Sequence, residues 1–310
     1  EELPLLDNLL DRGLQNGLNI KKIGPEQIRE IEPHANGLAG IHVPMAGIVN
    51  YRQVSAAYAR IIEEHGGEIR LNTKVTGLRV TGSGVEIETN RDAVEARFFI
   101  NCAGLHSDRV ARLSGEQKLD LKIVPFRGEY YELKEHKRYL VKHLIYPVPN
   151  PNFPFLGVHY TRMIGGHVEA GPNAVLSFRR EGYRKTDVHP GDLAEVLFYP
   201  GFWRLARKYW RDWLEEMVRS FSKKAFVRSL QQLIPEIREE DLEPAPAGVR
   251  AQALKKDGSL VDDFYIVPGQ HAIHVCNAPS PAATASLMIG RKVAELVPED
   301  TAGKRSFAVS

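Results

Sequence analysis

The sequence predicts a mixed α/β fold built from two interwoven domains, and three observations support this prediction. The chain has 310 residues, which exceeds the usual length of about 150 residues for one domain. Stretches in which helices and strands are mixed lie at both ends of the chain, around a long middle of antiparallel-type strands. An apolar content of 43% and a charged content of 26% are those of an ordinary globular protein.

The helices are predicted from apolar residues that recur every three or four positions and from the glycines and prolines that bound them. The first carries leucines on one face and stops near Gly17, and the second starts at Gly24-Pro25 and ends before Pro33. Gly66-Gly67 ends the third. The predicted helices cover residues 3–17, 25–32, 52–65, 105–113, 191–222, 225–240 and 281–296.

Strands are predicted where apolar and polar residues alternate between turn residues. The apolar run from Phe98 to Ala103, interrupted by Asn101, predicts a strand that is buried on both faces. The two cysteines, Cys102 and Cys276, lie in such runs, so we expect buried thiols in a reducing compartment. The predicted strands cover residues 38–49, 68–72, 74–80, 85–89, 94–100, 121–133, 140–148, 155–159, 163–170, 249–254, 262–267 and 272–276.

Charge and motif content argue against several functional classes. Lys and Arg number 41 against 39 Asp and Glu, and this near balance argues against a dedicated nucleic-acid binder. No apolar stretch approaches the roughly 18 residues of a membrane span. The sequence contains no Walker A loop, no HExxH, no paired CxxC, no GxSxG and no GxGxxG, so no metal site is predicted.

Two apolar strands run into segments of small residues. One strand is followed by Asn277, Ala278, Pro279, Ser280, Pro281, Ala282, Ala283 and Thr284, and then directly by a predicted helix. The other ends in Ala103-Gly104. Small side chains let a ligand approach the backbone, and a helix N-terminus suits the flavin N1–C2=O edge, which gains negative charge on reduction. Each segment is therefore either a ligand-binding turn or a tightly packed strand–helix turn.

Three ionisable residues are candidates for chemistry. Arg250 is a charge inside an otherwise apolar strand, where burial demands an anionic partner, either an internal carboxylate or a substrate carboxylate. Arg127 is similar, but it can pair with its neighbour Glu129. His159 ends a predicted strand beside aromatic residues and is the best candidate for a general base near neutral pH.

The segment 203–224 contains all three tryptophans of the chain on one predicted helix face, with seven basic residues against three acidic residues around them. This composition is typical of an amphipathic helix packed on its own domain. It is also typical of a helix on a membrane surface, because Trp with Lys and Arg suits the interface. Exposed side chains at Trp203, Trp210 and Trp213 would favour the membrane-surface helix, and buried ones would favour the packed helix.

Taken together, eight segments resemble FAD-dependent L-2-hydroxyglutarate oxidase/dehydrogenase, a family of D-amino-acid-oxidase-like flavoproteins. They follow one another over nearly the whole chain, and the C-terminal pair is the most specific. The segments are VPMAGIVNYRQV (43–54), NTKVTGL (72–78), NCAGLHSDRVA (101–111), VPFRGEYYEL (124–133), YPVPNPNFPFLGVHYTR (146–162), GPNAVLSFRREGY (171–183), GVRAQAL (248–254) and NAPSPAAT (277–284).

The resemblance implies a discontinuous FAD-binding domain of the D-amino-acid-oxidase/glutathione-reductase type, interleaved with a mostly antiparallel substrate domain. It implies that residues 38–115 and 261–298 form the FAD-binding domain and that 1–37 and 116–260 form the substrate domain, followed by a mobile tail, 299–310. The family begins with a βαβ unit that carries GxGxxG, and this chain begins after it. We therefore expect the chain to be part of a longer protein.

The resemblance also implies roles for individual residues. The backbone of Val75 would contact the adenine of FAD, Ala103 and Gly104 would line the cofactor, and residues 277–284 would contact the isoalloxazine. Arg250, Arg127 and Tyr131 would bind the substrate.

The implied reaction is oxidation of (S)-2-hydroxyglutarate, a small dicarboxylic 2-hydroxy acid, to 2-oxoglutarate. A base takes the hydroxyl proton, hydride passes to flavin N5, and electrons leave to a membrane quinone or to oxygen. We expect a cytoplasmic protein with peripheral contact at the inner face of the cell membrane. One alternative is another flavoprotein oxidase, acting on an amino acid or glycerol 3-phosphate. Another is a non-catalytic protein that binds a small anion or a partner.

Overall fold

The computed structural model describes residues 2–116, 119–149, 157–278 and 282–298. The tail 299–310, expected to be mobile, lies outside these residues. The helices are α1 (Leu3–Gln15), α2 (Pro25–Ile31), α3 (Tyr51–Glu64), α4 (Ser107–Leu113), α5 (Pro190–Leu197), α6 (Pro200–Lys208), α7 (Trp210–Phe221), α8 (Lys223–Leu230) and α9 (Ser286–Glu295). The strands are β1 (Lys21–Ile23), β2 (Gly40–His42), β3 (Val75–Val80), β4 (Val85–Thr89), β5 (Ala93–Ala96), β6 (Phe99–Asn101), β7 (Leu121–Leu133), β8 (Leu144–Ile145), β9 (His159–Arg162), β10 (Val168–Leu176), β11 (Leu242–Pro244), β12 (Gly248–Lys255), β13 (Tyr265–Gly269) and β14 (Ala272–Asn277).

An antiparallel six-stranded sheet forms the middle of the fold, as the sequence predicts. Its strand order is β11–β7–β10–β9–β8, and β12 also pairs with β7. The long strand β7 organises the sheet, because it pairs with β10, β11 and β12. β12 runs beside β7 without a register shift, from Gly248 opposite Gly128 to Lys255 opposite Leu121.

A second sheet has the order β13–β14–β6, and β14 and β6 pair in parallel. Ala272 lies opposite Phe99, and His274 lies opposite Asn101. Parallel strands end at the same edge of a sheet, so the segments that follow Asn101 and Asn277 leave the sheet side by side. Two small antiparallel sheets, β3–β4–β5 and β1–β2, complete the strands of the described residues.

Three clusters of buried apolar residues connect these layers. One packs α8 against the antiparallel sheet, and a second packs α5 and α6 on β7 and β12. The third joins the two larger sheets: Leu121 and Ile123 of β7 meet Ala111 of α4 and Cys276 of β14. Burial of Leu and Ile side chains supplies roughly 1.5–3 kcal/mol each, so this cluster fixes the parallel pair against the antiparallel sheet.

The single helix predicted over 191–222 is three helices, α5, α6 and α7. Pro200 explains the first break, because proline lacks an N–H and holds the preceding residue in extended backbone. Tyr199 is indeed extended, with φ −91° and ψ 115°. The second break lies at Tyr209, for which the structure offers no comparable cause.

Several predicted strands are shorter than expected. The strand predicted over 163–170 begins only at Val168, because a turn at Met163–Gly166 separates β9 from β10. The strand predicted over 140–148 is reduced to β8, and residues 68–72 form no strand. β2 covers three residues of the predicted 38–49, and β11 was not predicted.

The strand expected to be buried on both faces is partly exposed. Ile100 of β6 is 40% exposed, because β6 lies at the edge of its sheet among the described residues. Cys276 is buried as expected, but Cys102 is exposed, since it follows the last residue of β6.

Candidate functional site

The two strand ends predicted to bind a cofactor lie at one edge of the parallel pair. Ala103 and Gly104 follow β6, Ala278 follows β14, and the two strands are hydrogen-bonded neighbours. The edge formed by these carboxyl ends is where open α/β sheets bind ligands. The arrangement agrees with the expectation that the two segments act together, and their cofactor contacts stay a prediction.

The backbone at Gly104 is open to an approaching group. Ala103 and Gly104 are both exposed. Gly104 has φ +52°, and no atom lies within 4 Å of the position that a Cβ would take there. A flat ring system such as a flavin therefore fits against this backbone, whereas a side chain at this position would occupy the same space.

Asn277 uses its side chain for the fold. Its amide donates to the carbonyls of Val261 (3.1 Å) and Asp263 (2.7 Å), so it holds the segment that leads into β13. Both N–H donors of its side chain are therefore used within the fold, and its expected contact with the cofactor stays a prediction.

The prediction that a helix begins directly after β14 is wrong. α9 begins at Ser286, because the N–H groups of Ala285 and Ser286 bond to the carbonyls of Ala282 and Ala283 in preceding turns. Thr284 lies in the same turns. The predicted contacts Pro279, Ser280 and Pro281 lie outside the described residues.

Val75 begins β3 opposite Thr89, in a sheet separate from the two strand ends. The strand lies against α4, which follows the Ala103–Gly104 segment. Val75 is half-buried, and its expected contact with adenine stays a prediction.

His159 has the geometry of a general base. Its Nδ1 lies 3.1 Å from the carbonyl of Gly157, which can only accept, so Nδ1 carries the proton and Nε2 keeps its lone pair. Its ring stacks on Tyr146 with a centroid distance of 4.2 Å. Burial lowers the pKa of His159, so the imidazole is neutral at neutral pH and able to accept a proton.

Tyr131 lies on the opposite face of the sheet from His159, and its expected role in substrate binding stays a prediction. Tyr131 lies opposite Ala170, and Ala170 lies opposite Tyr160, so these three share one face of the sheet. His159 precedes Tyr160 on the strand and therefore points to the other face. Tyr131 packs against Phe226 of α8, with ring centroids 4.9 Å apart.

The neighbouring Tyr130 is the tyrosine that belongs with His159. Its ring lies close to Gly171, which is opposite His159 in the β9–β10 pairing. Burial, with the charges of Glu169 and Tyr146, raises the pKa of Tyr130 to about 12, so its phenol stays a neutral donor. Strand alternation in the pair Tyr130-Tyr131 is the signal that could have found it.

Arg127 is a structural ion-pair partner. It is buried, and its Nη2 lies 2.8 Å from Glu129 Oε1, which is the alternative the sequence left open. Its Nη1 donates to the carbonyl of Arg184. Burial alone would raise the pKa of Glu129. Hydrogen bonds from Ser220 and Arg127 nevertheless hold this pKa below its usual value. These contacts favour the structural alternative for Arg127, and its expected role in substrate binding stays a prediction.

Arg250 is an exposed residue, in contrast to the buried charge expected, although partial burial of its guanidinium still lowers its pKa. It lies on β12 opposite Phe126, with the charge of Asp262 acting on it. Exposure leaves the guanidinium within reach of a ligand from solution. β7 and β10 separate β12 from β9, so the strands of Arg250 and His159 lie about 14 Å apart across the sheet.

A buried ion-pair network, not predicted from the sequence, connects the Gly104 turn to the antiparallel sheet. Arg180 lies 2.5 Å from Asp108 Oδ1 and 3.0 Å from Asp108 Oδ2, and it also donates to the carbonyl of Leu105. Asp108 accepts from the N–H of Ile123 on β7 (3.1 Å). Burial alone raises the pKa of Asp108, but the bonds from Arg180 hold it below its usual value.

No group of three His, Cys, Asp or Glu side chains in the described residues is placed to hold a metal ion. Among the same residues, no helix is both long and apolar enough to cross a bilayer.

Exposed small residues at the carboxyl ends of two parallel strands lie where open α/β folds bind their ligands. The family model described as "FAD dependent oxidoreductase" matches residues 1–296. The chain belongs to this FAD-dependent oxidoreductase family.

Named relatives are similar along almost the whole chain. L-2-hydroxyglutarate dehydrogenase of Indibacter alkaliphilus is 53% identical over 296 residues, which cover 95% of this chain and 74% of the relative. The protein of the same name from Escherichia coli K12 is 45% identical, over 96% of this chain and 70% of the relative. The mitochondrial human protein of this name is 42% identical, over 96% of this chain and 68% of the relative.

Solved structures share the fold at low sequence identity. The FAD-bound L-α-glycerophosphate oxidase of Mycoplasma pneumoniae has a TM-score of 0.72 at 20% identity, over 96% of this chain and 70% of that one. Glycine oxidase of Bacillus cereus has a TM-score of 0.65 at 14% identity, over 99% and 72%. These likenesses confirm the predicted flavoprotein fold.

Gly104→Val tests the proposed cofactor edge. The side chain would fill the open space and add backbone strain of about 1–2 kcal/mol at φ +52°. We expect the FAD dissociation constant of the complete protein to rise at least about tenfold, or about 1.4 kcal/mol. The matched control is Gly66→Val, which has φ +79° and equally open surroundings at the end of α3. Equal loss of FAD affinity in both variants would contradict the placement.

Proposed function

We propose that the protein oxidises (S)-2-hydroxyglutarate to 2-oxoglutarate, with FAD as the hydride acceptor. The observation that carries this proposal is the 53% identity, across 95% of the chain, to the L-2-hydroxyglutarate dehydrogenase of Indibacter alkaliphilus. The geometry supports it independently, because the strand ends suit a flavin and His159 is poised as a base.

The proposal keeps the division of the chain expected from the sequence. Residues 38–115 and 261–298 would form the FAD-binding domain and contain both strand ends. Residues 1–37 and 116–260 would form the substrate domain and contain the sheet that carries His159 and Arg250.

Each side chain has a distinct task in this reaction. His159 Nε2 accepts the proton of the substrate hydroxyl, while the bond from Nδ1 to Gly157 holds the ring in place. Arg250 binds a substrate carboxylate, and the neutral Tyr130 phenol donates a hydrogen bond on the same face as His159. Bound FAD supplies a ring that accepts the C2 hydride. Loss of the hydroxyl proton and of the hydride together converts the alcohol into a ketone.

We further propose that the protein contacts an anionic membrane surface through an aromatic surface on α6 and α7. Trp203 and Trp210 are each 57% exposed, and Phe221 is 76% exposed. Trp213 instead packs on Phe126 and Phe202, with ring centroids 6.0 and 5.4 Å apart. We define the aromatic surface by these exposed residues: Phe198, Trp203, Trp210, Leu214, Val218 and Phe221.

Helix α7 turns two of its polar side chains inward and leaves several of its apolar side chains exposed. Buried Glu216 accepts from the N–H of Ala174 (3.0 Å), and buried Ser220 donates to Glu129 Oε2 (2.7 Å). These polar contacts, together with the packing of Trp213, hold α7 on the sheet and leave the other apolar side chains of the helix exposed.

Exposed cations surround the aromatic surface: Arg204, Arg207, Lys208 and Arg211. Apolar exposure ringed by cations complements an anionic leaflet, where each Lys or Arg adds about 1 kcal/mol. A bilayer contact also favours a membrane quinone over oxygen as electron acceptor.

His159→Gln tests the base. We expect kcat to fall by about 10²–10⁴-fold with unchanged FAD affinity, because the substituted amide accepts no proton. Since the pKa of His159 lies below its usual 6.5, activity should be full at neutral pH and fall only as the pH drops below 6.5. The control is the exposed His136→Gln. An acid limb in the pH–rate profile that persists in His159→Gln would show that another group titrates.

Arg250→Ala tests carboxylate binding. We expect kcat/KM for 2-hydroxyglutarate to fall by an amount equivalent to about 2–5 kcal/mol, mostly through KM, with little loss of thermal stability. Arg127→Ala should show the opposite pattern, because it removes the buried cation nearest to Glu129 and leaves only the more exposed Lys185 beside that carboxylate. Unchanged kinetics with lost stability in Arg250→Ala would assign Arg250 a structural role.

Vesicle binding tests the aromatic surface. The triple variant Trp203→Ser/Trp210→Ser/Phe221→Ser should bind vesicles of phosphatidylcholine and phosphatidylglycerol at least about tenfold more weakly than wild type. The reason is that it removes the exposed apolar side chains that the membrane interface would bury. Added salt and pure phosphatidylcholine should weaken wild-type binding.

The matched control is Leu38→Ser/Leu71→Ser/Tyr183→Ser, which replaces exposed apolar residues elsewhere. Two results would refute the membrane contact: equal binding by both triple variants, or a wild-type protein that self-associates without binding vesicles.

A further inference from the structure

Asn101, at the end of β6, is buried and makes hydrogen bonds with the turn after β6 and with the neighbouring strand β14. Its Oδ1 accepts from the N–H of Ala103 at 3.0 Å. Its Nδ2 donates to the carbonyl of Ser107 at 2.8 Å and lies 3.2 Å from Nδ1 of His274 on β14. A carboxamide has two N–H donors, so both are used, and one amide connects the turn after β6 with the neighbouring strand.

His274 is completely buried and has one consistent protonation state in this network. Since Nδ1 accepts from the Asn101 amide, Nε2 carries the proton and donates to Ser114 Oγ at 2.9 Å. Ser114 Oγ in turn donates to the carbonyl of Ala111 at 2.7 Å. Burial lowers the pKa of His274, in agreement with a neutral ring.

Ser107 adds a second connection between the strand ends. Its buried hydroxyl donates to the carbonyl of Cys276 at 3.2 Å, one residue before the end of β14. The backbone of Ser107 is itself held by Asn101. Three side chain–backbone bonds therefore fix the Ala103–Gly104 turn relative to the end of β14, outside the regular ladder between β6 and β14.

We propose that Asn101 is a positioning residue of the flavin site, which acts with Ser107 to hold the Ala103–Gly104 backbone and the end of β14 in the spacing that receives the isoalloxazine. This inference rests on the proposed placement of FAD at these strand ends. Asn101 does not touch the cofactor in this account. It acts through the two backbones that do, since an unfixed turn would have to be ordered each time FAD binds.

Asn101→Asp is the sharpest variant, because it preserves shape and the acceptor for Ala103. The carboxylate, however, cannot donate to the Ser107 carbonyl, and it repels that carbonyl. Ser107→Ala removes only the hydroxyl that bonds to Cys276. The matched control is Tyr199→Phe, which removes another buried hydroxyl, 2.9 Å from the carbonyl of Leu254, in a different core cluster.

The measurements are the FAD dissociation constant and the visible circular dichroism of bound flavin in the complete protein. We expect Asn101→Asp to raise the dissociation constant at least about tenfold and to change the dichroism. Ser107→Ala should do the same to a smaller degree, and Tyr199→Phe should lower thermal stability alone. Wild-type affinity and dichroism in Ser107→Ala would overturn the proposal, even if Asn101→Asp fails to fold. A wild-type protein that binds no FAD would instead overturn the proposed function itself.

Discussion

The buried pair of Arg180 and Asp108 is the interaction on which the geometry of the site depends most. Both charges are almost fully removed from water, so each needs the other, and removal of one partner of such a pair costs about 3–5 kcal/mol. Asp108 also accepts from the N–H of Ile123 on β7, while Arg180 donates to the carbonyl of Leu105 beside Gly104. One ion pair therefore aligns the open strand edge with the antiparallel sheet.

The chemistry follows from this alignment. The parallel pair of β6 and β14 presents small, exposed residues where a ring can lie flat, and the antiparallel sheet carries a neutral imidazole with a basic Nε2. A cofactor edge and a proton acceptor on separate elements suit a reaction that removes a hydride and a proton from one carbon–oxygen unit. Membership in the FAD-dependent oxidoreductase family agrees with this division of labour.

Many of the helices and strands, among them the long strand β7, could be predicted from the sequence, because hydrophobic periodicity and turn residues are local signals. Side-chain partners over long sequence distances could not. The sequence did not show which tyrosine of the pair Tyr130-Tyr131 faces His159, because only cross-strand register reveals it. Arg180 was missed because its partner Asp108 lies 72 residues away, and a charge pair at that separation has no periodic signature. The aromatic segment was recognised, but only the fold shows that α7 turns Glu216 inward.

Anaerobic titration of the purified complete protein with (S)-2-hydroxyglutarate tests the central claim most directly. We expect the substrate to bleach the visible absorption of the bound flavin, with one molecule of 2-oxoglutarate formed per flavin. We expect glycerol 3-phosphate and glycine, tried in parallel, to leave the flavin oxidised. Bleaching by either of these compounds and not by (S)-2-hydroxyglutarate would contradict the proposed substrate, and a protein that binds FAD but is reduced by none of them would contradict the proposed reaction.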